Sequence, residues 1–159
     1  MNSLKENIGE KFQVENIIDT SGKLIKLNFS ESEITIIDFW FSDCSPCLKE
    51  MKQFEKILLG KEKKVTVISI SINRFSLWKK ILAEHNVRFS FLSGSAPNWK
   101  HYNLQSMIDE KLKNDIPKDN IDELIKKFNV TFYPAFFVVD KDGIIKSRPV
   151  SAVDYITQL

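Results

Sequence analysis

The two cysteines of this chain stand close together, in Cys44-Ser45-Pro46-Cys47, between two segments of different pattern. Residues 34–41 (ITIIDFWF) are rich in β-branched and aromatic side chains, which predicts a buried strand. After Pro46, apolar residues recur at three- and four-residue spacing, which predicts a helix. These residues are Leu48, Met51, Phe54, Ile57 and Leu58. Both sulfurs therefore belong to a strand-to-helix junction, and two cysteines are too few for a framework of structural disulfides.

A Cys-x-x-Cys motif at the start of a helix favours thiolate chemistry. The free N–H groups and the positive end of the helix dipole stabilise a thiolate at the first cysteine. The two-residue spacer places the second sulfur within bonding reach of the first. Pro46 suits the first turn because it lacks an N–H group that would be unpaired there. We therefore assign Cys44 as the attacking, more exposed thiol and Cys47 as the buried resolving thiol.

Two other interpretations of the cysteine pair stay open at this point. The pair could be half of a zinc site, but a tetrahedral site needs two more ligands. The two histidines of the chain, His85 and His101, are sixteen residues apart, which is outside the usual finger spacing. The other interpretation is a coincidental pair of core cysteines.

Further strands and helices follow the same kind of pattern. The strands cover residues 23–29, 65–72 and 136–139, and the last leads through the turn 140–143 to a hairpin partner beginning at Ile144. Apolar residues at helical spacing mark residues 75–86 and, more weakly, 98–114. A further helix begins at Asn120, which forms a predicted capping pair with Glu123. Alternating strands and helices predict an α/β layered sheet in one domain, residues 1–159.

Charge and hydropathy exclude two kinds of partner. The chain has 23 Lys and Arg against 21 Asp and Glu, a net charge of +2, which supplies no basic field of the kind a nucleic-acid binder shows. No run of about 18 apolar residues occurs, so the sequence predicts no membrane span. Residues 1–7 lack the apolar stretch of a signal peptide. We expect either a cytoplasmic chain or one written without its export signal or an upstream region.

Three segments carry a resemblance to a known family. Residues 37–51 (IDFWFSDCSPCLKEM) resemble the active-site segment of the thioredoxin superfamily, in particular its TlpA/ResA-like thiol–disulfide oxidoreductases, which share ground with the AhpC/TSA domain. Residues 130–143 (VTFYPAFFVVDKDG) resemble the cis-proline segment with its strand and hairpin turn. Residues 8–12 with 21–23 are similar to the N-terminal extension of that branch.

The resemblance implies the fold. It implies an α/β, thioredoxin-like three-layer fold with a mixed central sheet, helices on both faces and an N-terminal extension. Cys44 and Pro134 are 90 residues apart, which is more than a minimal thioredoxin allows. We therefore expect residues from about 90 to 118 to contain an inserted helical segment before the cis-proline strand.

The resemblance also implies catalytic roles for two acids beside Cys44 and Cys47. Asp38 aligns with the buried acid that thioredoxins place behind the second cysteine. A desolvated carboxylate has a raised pKa and could shuttle the proton of Cys47. Glu50 matches an acid that follows the family's motif, and we expect it to tune thiol protonation.

Four residues are implied at the substrate-binding surface. Pro134 matches the cis-proline that faces the cysteines, which would leave the backbone of Tyr133 free to pair with an extended substrate peptide. Trp40 matches a tryptophan that packs beside the active site. Asp43 departs from the family, which usually has an aromatic residue there. By simple electrostatics Asp43 should raise the pKa of Cys44 and select against acidic partners.

The function that the resemblance implies is thiol–disulfide exchange with cysteine-containing protein substrates and a redox partner protein. It needs no cofactor or metal beyond the Cys44–Cys47 pair. A peroxidase of the peroxiredoxin type is an alternative, although Phe41 stands where such sites want Thr or Ser. A non-enzymatic binding or chaperone module is a third. Relatives of this branch usually work outside the cytoplasm, so the cell envelope is the expected compartment.

Overall fold

A six-stranded mixed sheet forms the centre of the computed structural model, which describes residues 6–84, 87–94, 96–108 and 115–159. The strand order is β1-β4-β3-β2-β5-β6. β2, β3 and β4 run parallel, whereas β1, β5 and β6 pair antiparallel with their neighbours. The strands are β1 (Ile17–Ile18), β2 (Ile34–Trp40), β3 (Val65–Ser71), β4 (Trp99–Leu104), β5 (Ala135–Val139) and β6 (Ile145–Ser147).

Helices cover both faces of the sheet, which confirms the predicted three layers. The helices are α1 (Ser45–Leu58), α2 (Phe75–Glu84), α3 (Lys118–Phe128) and α4 (Ala152–Thr157), with a 3₁₀ segment at Val87–Ser93. A first core lies between the sheet and α1, α2 and α4, and includes both cysteines. A second core lies under α3 on the opposite face. Because side chains alternate along β2, Asp38 lies on the first-core face between Ile36 and Trp40.

The N-terminal segment reaches both edges of the sheet. Near one edge, the Gly9 N–H donates to the Ile145 carbonyl and the Phe12 N–H donates to the Gly143 carbonyl, each at 2.8 Å. The ring of Phe12 stacks on that of Phe128 in the second core, with centroids 5.0 Å apart. The chain then forms β1, which pairs with β4 at the other edge.

Two predictions of local structure are wrong, and a third falls only partly on described residues. Residues 23–29 form no strand; Leu24 makes one isolated bridge to Ile18, while Ile25, Leu27 and Phe29 pack on the second core without a ladder partner. Within residues 98–114, where a helix is predicted, Trp99–Leu104 form β4 instead, and residues 109–114 lie outside the described part. Asn120 does not cap α3, because it lies buried inside the helix, where its amide donates to the carbonyls of Ile72 and Leu104.

Candidate active site

The loop between β2 and α1 is held by Asn73, which follows the end of β3. The backbone N–H of Ser42 donates to the Asn73 side-chain carbonyl (2.9 Å), and the Asn73 amide donates to the Ser42 hydroxyl (3.2 Å) and to the Asp115 carbonyl (3.3 Å). The Cys44 N–H closes the turn by donating to the Phe41 carbonyl at 3.1 Å. Asn73 therefore fixes the approach to the first cysteine, a role that nothing in its sequence neighbourhood indicates.

The two cysteines form a disulfide at the N-terminus of α1. The Sγ atoms are 2.07 Å apart, and Cys44 is the N-cap of the helix, with Ser45 and Pro46 in the first turn. The Cys47 N–H points at Cys44 Sγ from 3.3 Å. Cys44 keeps 4% of its surface exposed and Cys47 none. A thiolate at Cys44 would be stabilised by the helix N–H groups and the positive end of the dipole, whereas Cys47 is shielded from solvent.

Asp38 is a buried carboxyl group on the strand beneath α1. One of its oxygens, Oδ2, accepts a hydrogen bond from the Ser69 hydroxyl at 2.8 Å. The other, Oδ1, is buried with no hydrogen-bond partner among the described residues. Burial raises the pKa of Asp38 to about 7; the Ser69 hydrogen bond lowers it in part and the charge of Glu50 raises it. Asp38 can therefore take up and release a proton near neutral pH.

Glu50 bonds to α4 rather than to a sulfur. Its carboxylate accepts hydrogen bonds from the Ser151 hydroxyl at 2.9 Å and from the Val153 N–H at 3.3 Å, at the start of α4. Its effect on the site runs through Asp38, whose pKa its negative charge raises. The role of Glu50 in tuning thiol protonation remains a prediction, and the geometry favours an indirect effect through Asp38.

Tyr133 and Pro134 are joined by a cis peptide bond and directly precede β5. The first residue of β5, Ala135, pairs with Phe39 of β2, so this loop lies beside the end of β2 from which the cysteine loop leaves. The ring of Tyr133 meets that of Phe41 edge-on, with centroids 5.5 Å apart. Burial raises the pKa of Tyr133 to about 12, so its phenol stays neutral.

The other two residues assigned to the substrate surface differ sharply in exposure. Trp40 is wholly buried in the first core, in the same cluster as both cysteines, so it offers a substrate no surface and its assignment as a substrate-binding residue is wrong. Asp43 is exposed and forms an ion pair with Arg88, with Oδ1 and Nη1 3.3 Å apart. Arg88 lies in the 3₁₀ segment, and its charge partly balances the one that Asp43 places beside Cys44. Sequence spacing gave no sign of this partner.

The histidines provide no metal centre in the described part of the chain. His85 lies outside the described residues. His101 packs against the indole of Trp99, with centroids 4.6 Å apart, and its Nδ1 is buried with no partner among the described residues. Burial lowers the pKa of His101 to about 4, so it is neutral at physiological pH. No cluster of three or more potential metal ligands occurs among residues 6–84, 87–94, 96–108 and 115–159, and no helix there is long and apolar enough to cross a membrane.

Comparisons with known proteins identify a family from the sequence and a fold from the solved structures. The sequence profile of the AhpC/TSA family matches residues 8–148. The chain is 27% identical over 140 residues to the thiol-disulfide oxidoreductase ResA of Bacillus thuringiensis subsp. konkukian, covering 87% of this chain and 67% of ResA. A thiol:disulfide interchange protein from Bacteroides sp. superposes with a TM-score of 0.69 at 24% identity, covering 98% of this chain and 89% of that one. The thioredoxin domain of a thiol-disulfide oxidoreductase from Bacteroides vulgatus superposes with a TM-score of 0.63 at 23% identity, covering 98% and 96%.

Proposed function

Because this chain belongs to the AhpC/TSA family, within the thioredoxin superfamily, we propose that it is a thiol–disulfide oxidoreductase that exchanges disulfides with partner proteins through Cys44 and Cys47. The TlpA/ResA-like resemblance inferred from the sequence is confirmed. The observation that carries the proposal is the disulfide itself. It lies at a helix N-terminus, with the N–H of one cysteine directed at the sulfur of the other.

The proposed cycle exchanges one disulfide for another. In the reduced chain the Cys44 thiolate attacks one sulfur of a partner disulfide, so a mixed disulfide forms and the second partner sulfur leaves as a thiolate. Cys47 then gives its proton to the Asp38 carboxylate and attacks Cys44 Sγ. The Cys44–Cys47 disulfide forms and the first partner sulfur leaves as a thiolate. Two electrons pass to the partner, and the reverse sequence oxidises a partner dithiol.

Asp38 suits the resolving step because burial moves its pKa to about 7. A carboxylate of ordinary pKa is too weak a base to accept a thiol proton efficiently. A carboxyl group whose pKa is near 7 has both its protonated and its ionised form populated at neutral pH. Cys47 is fully buried on the same side of the sheet, where no solvent base reaches it. Asp38 is the buried carboxyl group that the sheet places on that face.

The partner is proposed to bind along the backbone that precedes β5. A cysteine-containing protein segment in extended form would pair with Tyr133 beside Pro134 and present its sulfur to Cys44. Asp43 of the exposed Asp43–Arg88 ion pair lies directly before Cys44 in the chain. Asp43 alone would repel acidic partner segments, and the positive charge of Arg88 weakens that repulsion. We further propose that residues 1–159 form one thioredoxin-like domain and that the chain works in the cell envelope, as the resemblance implies.

The test is reduction of insulin disulfides in the presence of dithiothreitol. We expect the wild-type chain to accelerate precipitation of insulin and Cys44→Ser to abolish the acceleration. When reduced Cys47→Ser is mixed with insulin after the dithiothreitol has been removed, it should instead accumulate a mixed disulfide at Cys44, visible by non-reducing mass spectrometry, because resolution fails. A wild-type rate no higher than that of Cys44→Ser would refute the proposal. Rapid consumption of peroxide by the same preparation would favour the peroxidase alternative.

A further inference from the structure

We propose that Ser69 and Trp99 are positioning residues that fix which oxygen of Asp38 carries the exchangeable proton. The inference rests on the proposed function, since it specifies how Asp38 serves Cys47. Neither residue touches the sulfurs, and both act through the carboxyl group.

The geometry is a chain of two hydrogen bonds across three neighbouring strands. Ser69 on β3 lies directly opposite Asp38 on β2 in the parallel register, and its hydroxyl donates to Asp38 Oδ2 at 2.8 Å. The indole Nε1–H of Trp99 on β4 donates to the Ser69 oxygen at 2.9 Å. All three residues are buried, with exposures of 1% for Asp38, 0% for Ser69 and 7% for Trp99.

The hydrogen-bond inventory fixes the donor to ionised Asp38. A hydroxyl group has one hydrogen to donate and two lone pairs that accept. The Trp99 indole is a donor only and occupies one lone pair of the Ser69 oxygen, which leaves the Ser69 hydrogen to Asp38 Oδ2. If this bond is kept when Asp38 is protonated, Oδ2 stays the acceptor and the proton resides on Oδ1, the oxygen without a partner among the described residues. The proton that exchanges with Cys47 is thus held on one defined atom.

Few other titratable groups lie near Asp38, and the hydrogen bond from Ser69 acts on the pKa of Asp38 itself. The other titratable groups in or against the first core include Cys44 before α1, Cys47 and Glu50 from α1, His101 from β4, Tyr133 from the loop before β5 and Tyr155 from α4; β3 and β5 supply none. His101, with its pKa of about 4, and Tyr133, with its pKa of about 12, stay uncharged through neutral pH. Three influences act on the pKa of Asp38. Burial and the charge of Glu50 raise it, and only the Ser69 hydrogen bond lowers it.

The experiment is a carboxyl ¹³C NMR titration of Asp38 in the oxidised chain, which needs no catalytic activity. In Ser69→Ala we expect the pKa of Asp38 to rise by about one unit, because the ionised form loses its donor. Trp99→Phe should shift it in the same direction but less, since the hydroxyl group remains and is only released from its orientation. Ser71→Ala is the matched control: Ser71 is an equally buried serine on the same face of β3, but its hydroxyl donates to Asn73, so the pKa of Asp38 should not move.

The outcomes separate this inference from the proposed function. A pKa of Asp38 that is unchanged in both Ser69→Ala and Trp99→Phe, or that moves as much in Ser71→Ala, overturns the inference even if insulin reduction is normal. An inactive wild-type chain refutes the function but not the titration result. In active protein, Ser69→Ala should move the midpoint of the rate–pH profile upward and should have no such effect in an Asp38→Asn background. Ser69→Thr, which keeps the hydroxyl group, should restore the wild-type midpoint.

Discussion

Replacing Asp38 by Asn in the oxidised chain should make the protein more stable at alkaline pH, although it removes a functional acid. Asp38 is buried on the first-core face with one oxygen unpartnered among the described residues. A carboxylate in that position is poorly solvated, whereas the amide of Asn has nearly the same shape and no charge. The unpartnered polar atom is present in both chains, so its cost does not depend on pH.

The magnitude follows from the pKa of Asp38, which burial raises from the ordinary 3.8 to about 7. Between those values the native chain holds a proton that the unfolded chain has lost, so the free energy of unfolding falls as the pH rises. Each pKa unit corresponds to about 1.4 kcal/mol, so ionised Asp38 costs the native state about 4 kcal/mol above pH 7. Below pH 3.8 this cost is absent, and the Asn chain never bears it.

The assay is urea unfolding of both oxidised chains at a series of values from about pH 4 to about pH 8. We expect the stability advantage of Asp38→Asn to grow by up to about 4 kcal/mol across that range; the other titrating groups are common to both chains and cancel. Asp122→Asn, at an exposed aspartate on α3, is the control and should show no comparable growth. An advantage that stays constant with pH would refute the assignment of Asp38 as a buried acid titrating near neutrality.

Three further substitutions test other parts of the site. Asn73→Ala should lower the free energy of unfolding by about 2–3 kcal/mol in urea titrations, because it leaves buried partners of the cysteine loop unbonded. A loss below about 0.5 kcal/mol, the size of an ordinary surface substitution, would show that the loop does not depend on Asn73. Glu50→Gln removes the charge that raises the pKa of Asp38, so the NMR midpoint of Asp38 should fall, and an unchanged midpoint would contradict the coupling. Arg88→Gln should change stability by less than about 1 kcal/mol, since its ion pair with Asp43 is exposed. It should nevertheless slow alkylation of reduced Cys44, because the negative charge of Asp43 beside the thiolate is then no longer balanced. Equal alkylation rates would show that Arg88 has no effect on Cys44.

The elements around the cysteines were predictable because their sequence patterns match their burial. β2 and β3 are covered on both faces, so each appears as a nearly continuous run of strand-forming residues. Apolar residues on one face of α1 mark the side that packs on the first core. Asp38 stands out as the one charged residue within such a run, and the structure places it under α1.

β4 was not predictable, because the face it turns to the first core is largely polar. Trp99, His101 and Asn103 lie on that face, and two of them bond to β3: the Trp99 indole to Ser69, and the Asn103 amide to the carbonyl of Ser71. Hydrophobic alternation therefore fails there, while Leu104 and the apolar residues after it mimic helical spacing. The converse holds for residues 23–29, which alternate like a strand because they cover the second core, although no neighbour completes a ladder.

Contacts between distant residues account for what the sequence left out of the site. Asn73 reaches Ser42 across 31 positions and Arg88 reaches Asp43 across 45. Asn120 resembles a helix cap in sequence, yet its amide is used to join the ends of β3 and β4. A polar residue's preference for a cap or a turn is local, whereas its actual partners depend on the assembled sheet.

The reduction potential of the Cys44–Cys47 couple tests the central claim most directly. The chain is equilibrated with glutathione or dithiothreitol buffers of graded potential, free thiols are trapped by alkylation, and the oxidised and reduced fractions are read by mass. We predict a reversible two-electron transition between about −270 and about −120 mV, the range of this superfamily's exchange proteins. A pair that stays oxidised to below about −300 mV, the range of structural disulfides, would contradict a role in exchange with partner proteins.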